Sequence, residues 1–304
     1  MSRPLAVLLL LFCTALWGLA FVAQKSAMDT MGALTFSGLR FLIGGLLVLP
    51  LALREYRQRL AATGERLSRR QWLLILALSA VFFLGSWMQQ VGLALTSVTN
   101  SGFLTALYVL FVPLIAFVLV RARPHPIIYL GVPLALIGIY YLNGGELNRF
   151  NSGDLLVVIS ALFWGMHVFL LGLLARQTGL PIFLSGLTFL FAGAVALSLA
   201  FVIETPSLSG ISATWLQLGY AAIFSTAIAF TGQAIGQQYV PSANAAIILS
   251  AESLFAALGG AMLLGERLSL VGYAGAALIF LAIIMVETVP ALQQRRADAA
   301  ANAS

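Results

Sequence analysis

Ten stretches of the chain stay apolar for about the length a helix needs to cross a bilayer, with polar or charged residues between them. A hydrocarbon core takes about 20 residues of helix. The windows lie at 5–24, 33–53, 72–92, 98–120, 126–142, 154–175, 181–203, 213–233, 240–263 and 269–289. Most connections are short; the longest, about 54–71, carries Arg54, Arg57, Arg59, Arg66, Arg69 and Arg70. Inside several spans the few polar residues recur at helical spacing and so share a face. Thr14, Trp17, Phe21 and Gln24 do so in span 1, and Ser79, Ser86 and Gln90 in span 3, with Trp87 and Gln89 beside them. Ser101, Thr105 and Tyr108 align in span 4, Ser160, Trp164 and His167 in span 6, Thr226 and Gln233 in span 8. Polar side chains are costly against lipid, so these stripes should turn inward. The pattern predicts spans 1, 3, 4, 6, 8 and 9 around a central cavity. Spans 2, 5, 7 and 10, more uniformly apolar, would support them or face lipid.

The second half of the chain repeats the first. Ser37-Gly38-Leu39-Arg40-Phe41-Leu42 returns as Ser185-Gly186-Leu187-Thr188-Phe189-Leu190, Gly45 as Gly193, and Trp17-Gly18 as Trp164-Gly165. Further on, Gln89, Gly92, Asn100, Leu110-Phe111, Arg123, Tyr129 and Gly131 find Gln233, Gly236, Asn244, Leu254-Phe255, Arg267, Tyr273 and Gly275. Five spans per copy is an odd number, so the second copy must enter the membrane from the opposite side. Paired copies of this kind are a common architecture of secondary transporters. The expected fold is an all-α integral membrane protein of ten transmembrane helices, built as two inverted five-helix repeats, 1–147 and 148–290. A disordered cytoplasmic tail, 291–304, would follow.

Composition supports a membrane protein: of 304 residues, 61% are hydrophobic and 9% charged, where a soluble domain is roughly a quarter charged. The net charge of +6 does not point to nucleic acid, because the arginines lie between apolar spans. Positive charge instead sets the orientation. With the N-terminus inside, Arg3, the six loop arginines, Arg121, Arg123, Arg176, Arg295 and Arg296 are cytoplasmic, and Lys25, Arg149 and Arg267 are outside. Both termini are then cytoplasmic, in the inner (plasma) membrane. Cys13 is the single cysteine, so no intrachain disulfide can form, and its place in span 1 suits a small apolar filler. His125 and His167 are far apart, so no metal site and no cofactor is expected. The first span has no cleavage site followed by a polar mature domain and reads as retained.

The candidate cavity residues are Trp17, Phe21, Gln24, Ser86, Gln89, Gln90, Thr105, Tyr108, Trp164, His167, Thr226 and Gln233. They would give a chamber of rings, amides and hydroxyls with almost no fixed charge, suited to a small amphipathic solute. The alternative role for the polar members is interhelical adhesion, about 0.6 kcal/mol each. Glu252, deep in span 9, is either a proton-coupling or substrate-amine site or a protonated carboxyl bonded to a backbone carbonyl. Its repeat equivalent is Tyr108, so the symmetry breaks there. Arg40, inside span 2, either attracts a substrate carboxylate or serves structurally. Gly232-x-x-x-Gly236 would let a neighbouring helix approach, and Pro113 and Pro133 should kink spans 4 and 5.

Several features together resemble the EamA family of the drug/metabolite transporter superfamily. They are the ten spans in two repeats, the early Trp17-Gly18, the Arg40-Phe41-Leu42 step, the run Pro241-Ser242-Ala243-Asn244 through Ser250-Ala251-Glu252, and Leu264-Gly265-Glu266-Arg267-Leu268. The resemblance covers almost the whole chain. It implies export of small metabolites, often amino acids, across the bacterial inner membrane without ATP. Within the family the chain most resembles the YddG-type exporters of aromatic and other neutral amino acids. It departs where the family has Glu-Pro, because Ser253 follows Glu252 and removes an expected kink in span 9. The expected mechanism is alternating access, spans 3, 4 and 6 rocking against spans 1, 8 and 9, with the lipid bilayer and a small-molecule substrate as partners. The rival classes are a passive channel or non-transporting scaffold and an intramembrane enzyme. No catalytic residue is nominated, since the chain has no His-Glu-x-x-His, no Gly-x-Ser-x-Gly and no Gly-x-x-x-x-Gly-Lys-Ser/Thr.

Overall fold

The structure is a computed structural model, and it describes residues 1–121, 125–142, 151–265 and 269–302. The described residues contain helices and no strand. In order they are α1 (Arg3–Ala27), α2 (Ala33–Thr63), α3 (Arg69–Leu95), α4 (Val98–Thr105), α5 (Tyr108–Val120), α6 (Ile128–Leu142), α7 (Ser152–Thr178) and α8 (Pro181–Ile203). Then come α9 (Leu208–Ala213), α10 (Trp215–Tyr220), a π-helical stretch (Ala221–Phe230), α11 (Thr231–Gly236), α12 (Ser242–Leu249), α13 (Glu252–Leu264) and α14 (Leu270–Asn302). Nine described segments are long and apolar enough to cross a bilayer, and α6 is a shorter tenth. Arg123, Arg149, Arg267, the Glu266–Leu268 part of the loop motif and the 147/148 boundary lie outside the described residues.

The ends of these helices follow from local sequence. Ser68 opens α3 with a reciprocal cap, its hydroxyl accepting from the Gln71 amide while the Gln71 side chain accepts from Ser68 N. Asn151 and Asp154 do the same for α7. Gly64 and Gly179 close α2 and α7 at φ of 69° and 65°, a left-handed turn glycine adopts without strain. Two boundaries depart from expectation. The arginine-rich connection is not a loop over 54–71: α2 continues to Thr63, because Leu, Ala, Arg, Glu and Gln are good helix formers, and only 64–68 links it to α3. The tail is not irregular: α14 runs through Pro290 to Asn302 on an Ala- and Gln-rich sequence that also favours helix.

Spans 4 and 9 are each broken in mid-membrane. Span 4 breaks at Ala106-Leu107, not at Pro113, and α5 continues through that proline. Span 9 breaks at Ser250-Ala251 although no proline follows Glu252, which corrects the expectation that Ser253 keeps it straight. The two breaks are wound alike. Leu107 N, Val109 N and Leu110 N bond three residues back, to Leu104, Ala106 and Leu107. Their counterparts Ala251 N, Ser253 N and Leu254 N bond to Ile248, Ser250 and Ala251. The tightened turn recurs residue for residue in the two halves.

Packing pairs helices with their own counterparts. α2 lies against α8 and α6 against α14, while α3 on α7 mirrors α1 on the α10–α11 span. The α2–α8 seam is a glycine seam. A Cβ on Gly38 would meet Leu197 N at 2.8 Å, one on Gly193 would meet Leu42 N at 2.6 Å, and one on Gly45 would meet Leu190 Cδ2 at 2.9 Å. Residue numbers rise on one helix as they fall on the other, so these two equivalent helices run antiparallel. A glutamate clamps the seam at each end. Glu204, just past α8, accepts from Leu34 N and Thr35 N, both at 2.8 Å, and from Thr35 Oγ1 at 2.6 Å, at the start of α2. Glu55, near the end of α2, accepts from Phe183 N at 2.8 Å at the start of α8. Carboxylates belong at helix N-termini, where amides are unpaired and the dipole is positive. Around this seam α7 packs with α3, α4 and α5, and α1 with the α10–α11 span, α12 and α13, while the broken spans also pack across these two groups, α4 on α13 and α5 on α12.

Candidate functional site

A cavity lies between the two groups, lined by Trp17, Phe21 and Gln24 of α1, Arg40 of α2, Gln89 of α3, Thr105 of α4 and Tyr108 of α5. Trp164 and Val168 of α7, Ser225 and Phe230 of the π-helical stretch, Gln233 of α11, Leu249 of α12 and Glu252 of α13 complete it. All are buried, and the remaining space is about 40 Å³. A drug-sized ligand takes roughly 300–1,000 Å³, so the helices are drawn in around the cavity.

Much of the lining comes in repeat-equivalent pairs: Trp17 with Trp164, Phe21 with Val168, Gln89 with Gln233, Thr105 with Leu249, Tyr108 with Glu252. One wall is aromatic. Phe230 packs on Trp17 at 4.6 Å between ring centroids and stacks on Trp164 at 5.6 Å with a 12° interplanar angle. Trp17 Nε1 donates to the Ser225 carbonyl at 3.1 Å. The other side is polar. Gln89 Nε2 donates to Thr105 Oγ1 at 2.7 Å, and Arg40 Nη1 to Gln24 Oε1 at 2.8 Å. The Arg40 guanidinium sits 4.4 Å from the Phe41 ring centroid. The Tyr108 hydroxyl and the Glu252 carboxyl lie close enough to interact electrostatically. Four polar atoms of lining residues have no partner: Arg40 Nε, Trp164 Nε1, Gln233 Oε1 and Glu252 Oε1. Each such buried atom costs about 1–3 kcal/mol, an expense that a polar ligand in the cavity would relieve.

The profile of the EamA-like transporter family matches twice, at residues 4–144 and at 151–288. The chain belongs to this family. The transporter is 34% identical over 289 residues to an uncharacterized transporter of Archaeoglobus fulgidus, covering 94% of this chain and 86% of that one. It is 27% identical to the uncharacterized inner membrane transporter YedA of Escherichia coli, over 89% of this chain and 87% of that one. A solved crystal structure superposes with a TM-score of 0.76 at 20% identity, covering 95% of this chain and 98% of that one, which shows a shared fold. The protein is therefore a multi-pass membrane transporter of the drug/metabolite transporter superfamily.

Of the cavity residues nominated from sequence, Trp17, Phe21, Gln24, Gln89, Thr105, Tyr108, Trp164 and Gln233 line the transporter's cavity, as do Arg40 and Glu252. The other four do not. Ser86 bonds back to the Phe82 carbonyl at 2.7 Å, and Gln90 Nε2 reaches the Gln24 carbonyl at 3.4 Å. His167 packs behind the aromatic wall, 5.2 Å from Phe82 and 5.6 Å from Trp164. Thr226 turns toward Gly44 of α2 and bonds to the Ala221 carbonyl at 2.8 Å. Val168, Ser225, Phe230 and Leu249 line the cavity without having been nominated. The π-helical stretch explains two of them. Its wider turn rotates the register of span 8, so Ser225 and Phe230 face inward where ordinary helical spacing points to Thr226. Two expectations change: span 2 contributes to the cavity, through Arg40, and the chamber holds both a guanidinium and a carboxyl rather than almost no charged groups. Among the described residues no cluster of metal-binding side chains occurs.

Proposed function

We propose that this transporter exports small metabolites, amino acids of the aromatic and other neutral kinds, across the inner membrane by alternating access and without ATP. The observation that carries the reading is the cavity itself, a buried aromatic and amide chamber between two helix groups, lined by equivalent positions of two matched halves. A rocking of one group against the other would open it to either side in turn. The antiparallel seam of the equivalent helices α2 and α8 supports halves of opposite orientation, and the arginine distribution supports cytoplasmic termini. The breaks in spans 4 and 9 sit where the cavity is, as in transporters whose sites are built on interrupted helices.

The test is uptake and exchange of a radiolabelled amino-acid panel by the purified protein in liposomes. Saturable movement of aromatic and neutral members, accelerated by unlabelled solute on the far side, is expected. Movement of none of the panel overturns the reading, and ion conductance in a planar bilayer would indicate a channel. Tags placed near residue 60 and near residue 207 should report opposite sides of the membrane.

A further inference from the structure

We propose that the cavity is a dipolar site for a free α-amino acid, in which Arg40 takes the carboxylate and Glu252 takes the ammonium. This rests on the transporter reading above and assigns the two ends of its substrate to named residues. Arg40 is 2% exposed, yet no carboxylate lies within ion-pair distance of it among the described residues. Its partners are the neutral Gln24 and the Phe36 and Phe41 rings, and its Nε is unpaired. A buried cation without an anion is unfavourable, and the planar fork of arginine matches a carboxylate. In the same cavity lining Glu252 is buried and keeps Oε1 unpaired. With Trp164 Nε1 and Gln233 Oε1, the cavity presents two unpaired donors and two unpaired acceptors. An α-amino acid brings the complement, acceptors on one end and donors on the other.

The repeat symmetry sharpens the assignment. Arg40 has Thr188 as its counterpart, Gln24 has Leu171, and Glu252 has Tyr108. The charged groups thus break a symmetry that Trp17 with Trp164 and Gln89 with Gln233 keep. A paired lining alone would accept a solute in either of two poses. The one-sided Arg40 and Glu252 select a single orientation and leave the wall of Trp17, Phe230 and Trp164 for the apolar side chain.

The test compares phenylalanine, phenylalaninamide and 3-phenylpropionate as competitors of amino-acid exchange in liposomes. The native transporter should prefer phenylalanine at least tenfold over both. Arg40→Gln should abolish the preference over the amide while keeping that over phenylpropionate, Glu252→Gln should do the reverse, and Arg40→Lys should be intermediate. A lower melting temperature with unchanged discrimination in Arg40→Gln would make the arginine structural and overturn the proposal, as would equal competition by all three in the native protein. Exchange of solutes that lack either group would overturn it while leaving the transporter reading intact. Movement of no solute would remove that reading as well.

At opposite ends of the bundle, we also infer, two cations latch the two helix groups together. Lys25, near the end of α1, donates to the carbonyls of Leu93, Ala94 and Thr96 at 3.0, 2.9 and 2.9 Å, at the C-terminus of α3. Arg176, near the end of α7, donates to the carbonyls of Gln237 and Val240 at 3.2 and 3.4 Å, just past α11. The accepting carbonyls are equivalent, Leu93 with Gln237 and Thr96 with Val240, and the cations that meet them stand one turn apart on the corresponding helices α1 and α7. Each contact crosses from one group to the other, and each cation meets carbonyls left open at a helix end. α3 and α7 run antiparallel, Gly85 lying by Trp164 and Gly92 by Val157. Lys25 and Arg176 therefore sit at opposite faces of the membrane. Opening to one face requires one latch to release while the other holds, which presupposes alternating access.

A reporter cysteine at Val168, in a Cys13→Ala background, tests this with a membrane-impermeant thiol reagent applied to either face. Lys25→Met should raise labelling several-fold from the Lys25 face, and Arg176→Met from the opposite face. Lys25→Arg should restore the native pattern. Equal changes from both faces, or no change in either variant, overturn the latch.

Discussion

Tyr108 and Glu252 begin the second segments of the two broken spans, at equivalent positions of the two halves, and their side chains interact with each other. The interaction joins the two interruptions at the cavity, so the point where each helix loses its regular ladder is also where the halves touch. An uninterrupted helix would carry neither side chain on this turn in the same way. The tightened backbone at 106–107 and 250–251 sets both.

Removing the phenol tests that junction. Tyr108→Phe keeps the ring and removes the hydroxyl that faces Glu252, so stability should fall by about 1 kcal/mol, read as a lower melting temperature in detergent. Glu252→Gln still offers an oxygen to Tyr108 and should lose less. Equal losses in the two variants would mean that the Tyr108–Glu252 interaction is not what holds the junction.

The α2–α8 seam makes a second, graded expectation. Gly193→Ala places a methyl 2.6 Å from a backbone nitrogen, which must shift, and overpacking of this kind costs about 1–3 kcal/mol. Gly219→Ala in α10 meets nothing within 4 Å and should be neutral or stabilising by about 0.4–1 kcal/mol. Thermal unfolding of both variants in one detergent reads the contrast. A Gly193→Ala protein as stable as Gly219→Ala would show that the helices do not approach this closely.

The order of spans and most of the polar lining were legible in the sequence, because both depend on hydrophobic length and helical spacing. Trp17, Gln89, Trp164 and Gln233 could be placed from their stripes and their repeat partners. What escaped depends on backbone geometry. Phe230 and Ser225 were hidden by a π-helical register that apolar residues such as Ala227 and Ile228 do not announce. Arg40 was a candidate from the sequence, but its span 2 was assigned a supporting place, because a single residue in an apolar helix does not show which way the helix is turned. The breaks at Ala106-Leu107 and Ser250-Ala251 carry no proline, so neither was announced by the sequence.

The clamp on the α2–α8 seam should also be measurable. Glu204 satisfies two backbone amides and one hydroxyl at the start of α2. Glu204→Ala strips all three partners at once and is expected to cost about 1–2 kcal/mol, in the range of a lost helix cap. Glu204→Gln, which keeps one acceptor oxygen, should fall between it and the native protein. The same ordering is expected for Glu55, with smaller losses because it accepts from Phe183 N rather than from three donors. Identical melting temperatures for native and Glu204→Ala proteins would show that water replaces the carboxylate without loss.

A proton gradient can drive transport only through a group that gains and loses a proton as the cavity changes sides, and Glu252 is the carboxyl that lines it. Glu252→Gln removes that capacity while conserving shape. In liposomes the variant should still exchange labelled for unlabelled solute, at a higher half-saturating concentration because its hold on the ammonium is weaker. An imposed pH gradient should no longer change its net flux, whereas the native protein should respond. Exchange isolates binding and conformational change from coupling, so the two measurements together separate a damaged site from an uncoupled one. If the gradient response persists in Glu252→Gln, the coupling proton is carried by another group and Glu252 serves binding alone.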